Sequence, residues 1–297
     1  MLRHLTALPV YRRDIYTRAA LLKPHPHYRA LRELGPVVWL PRHRLYALPR
    51  YAECKETLRD DGRFVSGHGV AANPIANRLS RGTTLSSDGA DHERRRKLVA
   101  HRLMPRALRT VGDDVGAQAR SLVDEAVRGG TVDAVSDLAT ALPMAVVPDL
   151  VGWPRDERHH LLHWAAATFD ILGPANWRAL TAAPRSLHML RFARRLVRDR
   201  NVLPGSMAEE LLTAVDDGTL AVEEVPPLLI DYIAPSLDTT ISAISSALLL
   251  FARHPEQWQL LREDPSLLPN AVNEVVRFES PLRSFTRKLL HESTIGD

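Results

Sequence analysis

The sequence predicts a mainly α-helical fold with a small N-terminal β-sheet. Three observations carry that expectation. From about residue 91 onward, apolar residues recur at three- and four-residue spacing, as Val115, Ala119, Leu122 and Ala126 do, which is the period of a helix with one buried face. Near the N-terminus, two short β-branched and aromatic runs, 36–41 and 44–48, meet around Pro41-Arg42-His43 and read as a hairpin. The composition, 45% hydrophobic and 25% charged over 297 residues, is that of a chain able to bury a sizeable core.

Taken in order, residues 15–34 have helical spacing that puts Tyr28, Leu31 and Leu34 on one face. The hairpin follows, then a short helix over 51–58. Residues 62–84 are rich in Gly, Ser and Asn and lack periodicity, so a long irregular loop of the functional kind is expected. Helices are then expected over 91–103, 112–127, 136–150, 156–169, 177–199, 207–216, 222–253, 255–263 and 266–279, with a final strand over 285–290. No repeat, low-complexity tract or linker divides the chain, which implies a single domain over 1–297.

Net charge is +4, from 39 basic and 35 acidic residues, and the two signs are interleaved, which argues against a nucleic-acid partner. The only cysteine is Cys54, so an internal disulfide and a multi-cysteine zinc site are excluded. Met1-Leu2-Arg3-His4 opens no apolar leader, and serines interrupt the most apolar stretch, 241–252. A cytoplasmic protein with no membrane partner is the expectation.

Three motifs could carry chemistry. In the helix over 222–253, Pro235 removes an amide donor and should bend or open the helix beside Asp238 and Thr239. That is either a proton or water relay or an amphipathic helix with a polar stripe and a kink. Glu274 and Arg277 are three residues apart and form a helical ion pair, a common surface feature when alone. In Asp88-x-x-x-His92-x-x-x-Arg96, His92 and Arg96 share a helix face and could clamp an anion, or form part of a solvated basic face.

In sequence order, these motifs resemble those of the bacterial-type cytochrome P450s, the haem-thiolate monooxygenases. The resemblance runs from Pro24-His25-Pro26-His27-Tyr28 through Asp88–Arg96 and Leu142-Pro143 to Gly152-Trp153-Pro154. It continues through Leu237-Asp238-Thr239-Thr240, His254-Pro255-Glu256, Glu274–Arg277 and Glu279-Ser280-Pro281 to Thr286-Arg287. It implies a P450 fold and insertion of one oxygen atom of O2 into a small organic substrate. It also implies haem as cofactor, no other metal site, and electrons from a ferredoxin or other separate donor. By the same resemblance His92, Arg96 and Arg287 bind the haem carboxylates. Asp238 and Thr239 are the catalytic acid and alcohol that deliver protons to bound dioxygen, and Glu274 and Arg277 form the structural pair. Val70, Phe169, Leu172 and Ile233 are candidate substrate-pocket residues, with ordinary core as the plain alternative.

One departure matters. The family ligates iron through a cysteine in a loop downstream of the Glu274–Arg277 motif, and no cysteine follows that motif here. Cys54, in a short N-terminal helix, reads as a small packing residue. The expectation is therefore a fold incomplete at its C-terminus: a truncated product, a mis-called frame or half of a split gene, inactive without the thiolate. The alternative is a non-catalytic helical binding or interaction fragment. A Gly67-x-Gly69-x-x-Ala72 match lacks the strand–turn–helix context of a dinucleotide site. His159, His160 and His163 lack a further ligand for a metal.

Overall fold

A computed structural model describes residues 8–100 and 105–295. The sequence-expected helix end at 101–103, and Met104 of the family resemblance, lie outside the described residues.

Lys23, forced out of helical geometry by the following proline, stops the first helix. The single helix expected over 15–34 is therefore two: α1 (Arg18–Leu22) and α2 (His25–Leu34). Strands β1 (Val38–Leu40) and β2 (Leu45–Ala47) form the expected antiparallel hairpin, pairing Trp39 with Tyr46. Val38 and Leu40 point inward onto Tyr11 and Leu31, a small satellite core. Helix α3 (Tyr51–Arg59) follows.

The stretch expected to be an irregular loop holds two elements. Strand β3 (Phe64–Val65) pairs with β4 (Lys288–Leu289), more than two hundred residues away, a pairing that no local pattern encodes. Helix α4 (Pro74–Leu79) starts where Asn73 accepts the Ala76 amide at 2.7 Å and Pro74 opens the first turn. That Asn-Pro signal is a helix start visible in the sequence.

Helices α5 (Gly89–Ala100) and α6 (Pro105–Gly129) lead to a π-helical turn at Ala134–Thr140 and to α7 (Ala141–Val151). A 3-10 turn at Arg155–His160 precedes α8 (Leu161–Leu172), and α9 (Trp177–Arg198) and α10 (Met207–Asp216) follow. The long helix α11 (Val225–Arg253) crosses the molecule and packs on α7, α8 and α9. It is unbroken, contrary to the opening expected at Pro235. The Thr239 hydroxyl donates to the Pro235 carbonyl at 2.7 Å, and the neighbouring Ile233, Ala234 and Leu237 are fully buried, so packing holds the turn closed. Helices α12 (Pro255–Glu263) and α13 (Leu268–Phe278) complete the set.

The main core joins α8, α9, α10 and the first half of α11, with Trp153, Leu161, Met189, Leu211, Leu229 and Leu237 fully enclosed. Each such side chain contributes roughly 1.5–3 kcal/mol by leaving water. Beyond residue 241 the pattern changes. Leu249, Trp258, Leu260, Val272, Val276 and Phe278 are exposed, so α12, α13 and the end of α11 present apolar surface to solvent. Two stretches, Ala134–Val151 and Val222–Arg253, are long and apolar enough to cross a membrane by length and composition. They pack on each other, and the second carries two acids, Asp231, which is bonded to the Leu85 amide, and the half-buried Asp238.

Candidate functional site

The basic run on α5 has two jobs. Arg94 and Arg95 both clasp Glu224, at 2.6 and 3.0 Å, fixing α5 to the turn that starts α11. The bond from Arg94 is the main reason the Glu224 carboxyl is held below its usual range. Arg95 is buried, which a charge run read from sequence as a solvated face does not anticipate. His92 and Arg96 are left over, and neither pairs with a carboxylate among the described residues. Arg96 lies close enough to α11 for its charge to act on the Tyr232 phenol.

Arg287 reaches the same region from the other end of the chain. The Thr286 amide bonds the Val70 carbonyl at 3.1 Å, and its hydroxyl bonds the Ala71 carbonyl at 2.9 Å. Gly69 makes this approach possible: a Cβ there would sit 2.6 Å from the Lys288 nitrogen. This is the physical use of one glycine in the Gly67-x-Gly69 pair. Asp88 takes the Ser66 and Gly67 amides at 2.7 and 2.6 Å, tying the same loop to the start of α5. Arg287 is half-buried, donates to the Thr286 carbonyl at 2.8 Å, and has no carboxylate partner among the described residues. Burial lowers its pKa, partly offset by the charge of Asp88.

On α11, Asp231 accepts the Leu85 amide at 3.1 Å and so fastens the end of the 62–87 segment. Sequence reading missed this residue; a carboxylate one turn before Pro235 in an apolar helix was the available signal. Burial raises the pKa of Asp231 despite that bond. The ionised form is thus the costly one in the folded state, and stability is lost as pH rises from the unfolded-state value through the folded one. Asp231→Asn, which keeps an acceptor for Leu85, is expected to melt no lower than the parent at pH 7, with the difference closing as pH falls towards about 4. Thermal melts at the two pH values read this directly, and a variant destabilised equally at both contradicts it.

Two turns further, Asp238 is half-buried and makes no hydrogen bond or ion pair to a described residue. Burial, and then the Asp170 carboxylate of α8, raise its pKa. Thr239 lies beside it with its proton donated to the Pro235 carbonyl, leaving the oxygen free to accept. The candidate pocket residues differ in burial and in what holds them. Ala72 donates to the Leu172 carbonyl at 2.8 Å, and the Asn73 amide spans the Ile171 and Gly173 carbonyls at 2.7 and 2.8 Å, so the loop bearing Val70 is stitched to the end of α8. Val70 is buried, Phe169 and Leu172 are half-buried, and Ile233 has no exposure and belongs to the main core. Glu274 and Arg277 form a two-point pair at 2.6 and 2.7 Å on the exposed face of α13. Both ends are open to solvent, so the pair is spared the large desolvation penalty of a buried one.

The cationic set fits a cofactor bearing carboxylates: His92 and Arg96 on α5 and a half-buried, unpaired Arg287 beyond it. It supplies no sulfur ligand. The Cys54 thiol lies on α3, donates to the Leu48 carbonyl at 2.9 Å, and is pushed up in pKa mainly by burial. No cluster of three metal-ligating side chains occurs among the described residues.

No family model matches the chain. Individual proteins do. It is 33% identical to a cytochrome P450, CYP199A2, of Rhodopseudomonas palustris, over 99% of this chain and 74% of that protein. It is 30% identical to a putative cytochrome P450 126 of Mycobacterium tuberculosis, over 92% of this chain and 70% of that protein. Among solved structures, CYP268A2 of Mycobacterium marinum, bound to pseudoionone, matches with a TM-score of 0.81 at 26% identity, covering 96% of this chain and 75% of that one. CYP109E1 of Bacillus megaterium, bound to testosterone, has the same TM-score at 21% identity, evidence for the fold alone. With its helical order and these relatives in agreement, the chain belongs to the cytochrome P450 family of haem-dependent oxidoreductases.

Proposed function

We propose that the chain carries the oxygen-handling and substrate-facing side of a monooxygenase that inserts one oxygen atom of O2 into a small organic substrate. On this reading the 297-residue polypeptide, taken by itself, is inactive. The observation that carries the proposal is the half-buried Arg287 guanidinium. It has no carboxylate partner among the described residues, and Asp88, whose charge acts on it, immediately precedes α5, the helix that carries His92 and Arg96. A half-buried cation with only the non-contacting charge of Asp88 to offset its burial is costly, and the carboxylates of haem are the direct counter-charge it suits.

When bound, haem supplies the binding and activation of dioxygen. The chain's own residues do the rest. His92, Arg96 and Arg287 hold and orient the cofactor's carboxylates. Asp238, with its raised pKa, keeps a proton at its carboxyl oxygen closer to neutral pH than an exposed aspartate does, which suits a group that passes protons on. The Thr239 oxygen, its own proton engaged by Pro235, accepts a hydrogen bond and positions water or substrate beside the helix. Val70, Phe169 and Leu172 supply apolar contacts, and Ile233 supports α11 from behind. Electrons come from a separate ferredoxin-type donor. The setting is cytoplasmic, with neither nucleic acid nor membrane as partner.

Two measurements test this. Haem is expected to bind at least about tenfold more tightly than its dimethyl ester, because a charge-assisted bond lost at each carboxylate exceeds the roughly 1.4 kcal/mol that a factor of ten requires. After reduction and exposure to carbon monoxide, the complex should lack a thiolate-type Soret band. Equal affinities, or a thiolate band from this polypeptide, would refute the respective part. A non-catalytic interaction module gains support only if the protein is monodisperse despite its apolar α12–α13 surface and shows no preference between the two porphyrins.

A further inference from the structure

We propose that the groove between α8 and α9 is a binding site for an oligophosphate anion. It is an open cavity of about 870 Å³ whose floor is the buried Trp164 and Phe192. Five arginines and three histidines line it, against a single carboxylate, Glu157. It uses none of the residues assigned above to haem, proton or substrate handling, so the proposal stands apart from that reading.

The charge pattern on α9 is unusual for a surface helix. Its 22 residues include six arginines and no Asp or Glu, so none of the usual intrahelical ion pairs can form. Arg185, His188, Arg191, Arg195 and Arg198 follow one another at steps of three or four residues and therefore run along one face. The row is about 20 Å long at the helical rise. Arg195 and Arg198 sit in the last turn, where the helix dipole favours cations. Arg185, His188 and Arg191 lie mid-helix and gain nothing from the dipole. Arg198 is already met by Asp199 at 2.7 and 3.1 Å; along the rest of the row like charges at this spacing repel, so it works against the helix unless an anion neutralises it.

Across the groove, His160 stacks on Trp164 at 5.2 Å and His163 meets Arg185 at 3.4 Å. Arg195 lies over the Phe192 ring at 5.4 Å, which holds its guanidinium at the groove floor. Glu157 reaches both Arg195 and His160 only at 3.8 Å. Arg191 and Arg194 pair with no acid among the described residues. Planar guanidinium forks spaced along a line match a chain of phosphate groups better than a single carboxylate, since the chain offers a fresh pair of acceptor oxygens and further negative charge to successive forks.

Titration of the purified 297-residue chain with sodium tripolyphosphate, followed by calorimetry at about 0.1 M salt, where the screening length is near 10 Å, tests this. Saturable one-to-one binding is expected. Arg191→Gln with Arg195→Gln should weaken it by about tenfold or more, the equivalent of one lost charge-assisted bond. The control pair Arg253→Gln with Arg262→Gln, exposed and remote in sequence, should bind as the parent does. Thermal melts confirm that each pair of substitutions leaves the fold intact. No saturable binding, or equal weakening in both pairs, overturns the proposal. Groove-dependent binding to phosphatidylglycerol vesicles without saturable tripolyphosphate binding also overturns it, in favour of a membrane surface.

Discussion

Trp153→Ala is expected to lower the free energy of unfolding by about 3–5 kcal/mol, the cost of emptying a fully enclosed aromatic site. Trp153 has no solvent exposure. Its ring stacks on Phe192 with centroids 5.0 Å apart and meets Trp164 edge-on at 6.5 Å, so it joins α8 to α9 at the centre of the core. The indole nitrogen has no hydrogen-bond partner among the described residues, so the loss is one of packing. The carbonyl, held by Arg158 at 2.6 and 3.1 Å, survives the substitution. Urea unfolding of parent and variant gives the difference, and Trp153→Phe, which keeps a ring against Phe192, should recover more than half of it. A loss under about 1 kcal/mol would mean that the site collapses and the aromatic cluster is not the centre of the fold.

Gly152→Ala should cost about 2–4 kcal/mol, although it adds a single methyl group. Gly152 ends α7 with φ +97°, in the left-handed region that disfavours a side chain. A Cβ there would lie 2.7 Å from the Ser206 Cβ and 2.9 Å from the Ala208 Cβ. Ser206 is buried and caps α10 by accepting the Glu209 amide at 3.3 Å, so moving it also uncaps that helix. The expected signature is a fall in Tm of several degrees or more, with α10 losing amide-exchange protection ahead of α8 and α9. Uniform protection with an unchanged Tm would show that the α7–α10 junction can relax.

Much of the helical frame was legible because it is written locally. The boundaries of α10 and α12 match the periodic segments residue for residue, since Ser206 caps the first and His254-Pro255 opens the second. The family was legible too, because its motifs are spread in a fixed order along the chain. What was not legible is non-local. The pairing of β3 with β4 joins residues 64 and 289, and its hydrogen bonds are between backbones, which carry no residue signature. The 62–84 stretch looked structureless for the same reason: Asp88, Asp231 and Thr286 hold it from outside.

Pro235 shows the same division. Its sequence effect, the loss of one amide donor, is certain. Whether the helix opens there depends on what packs around it, and the buried Ile233, Ala234 and Leu237 together with the Thr239 hydroxyl keep it closed. Likewise, the run Arg94-Arg95-Arg96 is simply basic as a string of letters. Only the approach of Glu224 from the start of α11 separates two structural arginines from one that pairs with no carboxylate among the described residues. By itself, then, the sequence determined the helical class, the family and the types of residue available for cofactor, proton and substrate. The tertiary structure decided which of those charges are already neutralised and which lack a partner among the described residues. Charge pairing is set by distances of a few ångströms between distant segments, and residue order alone does not contain those distances.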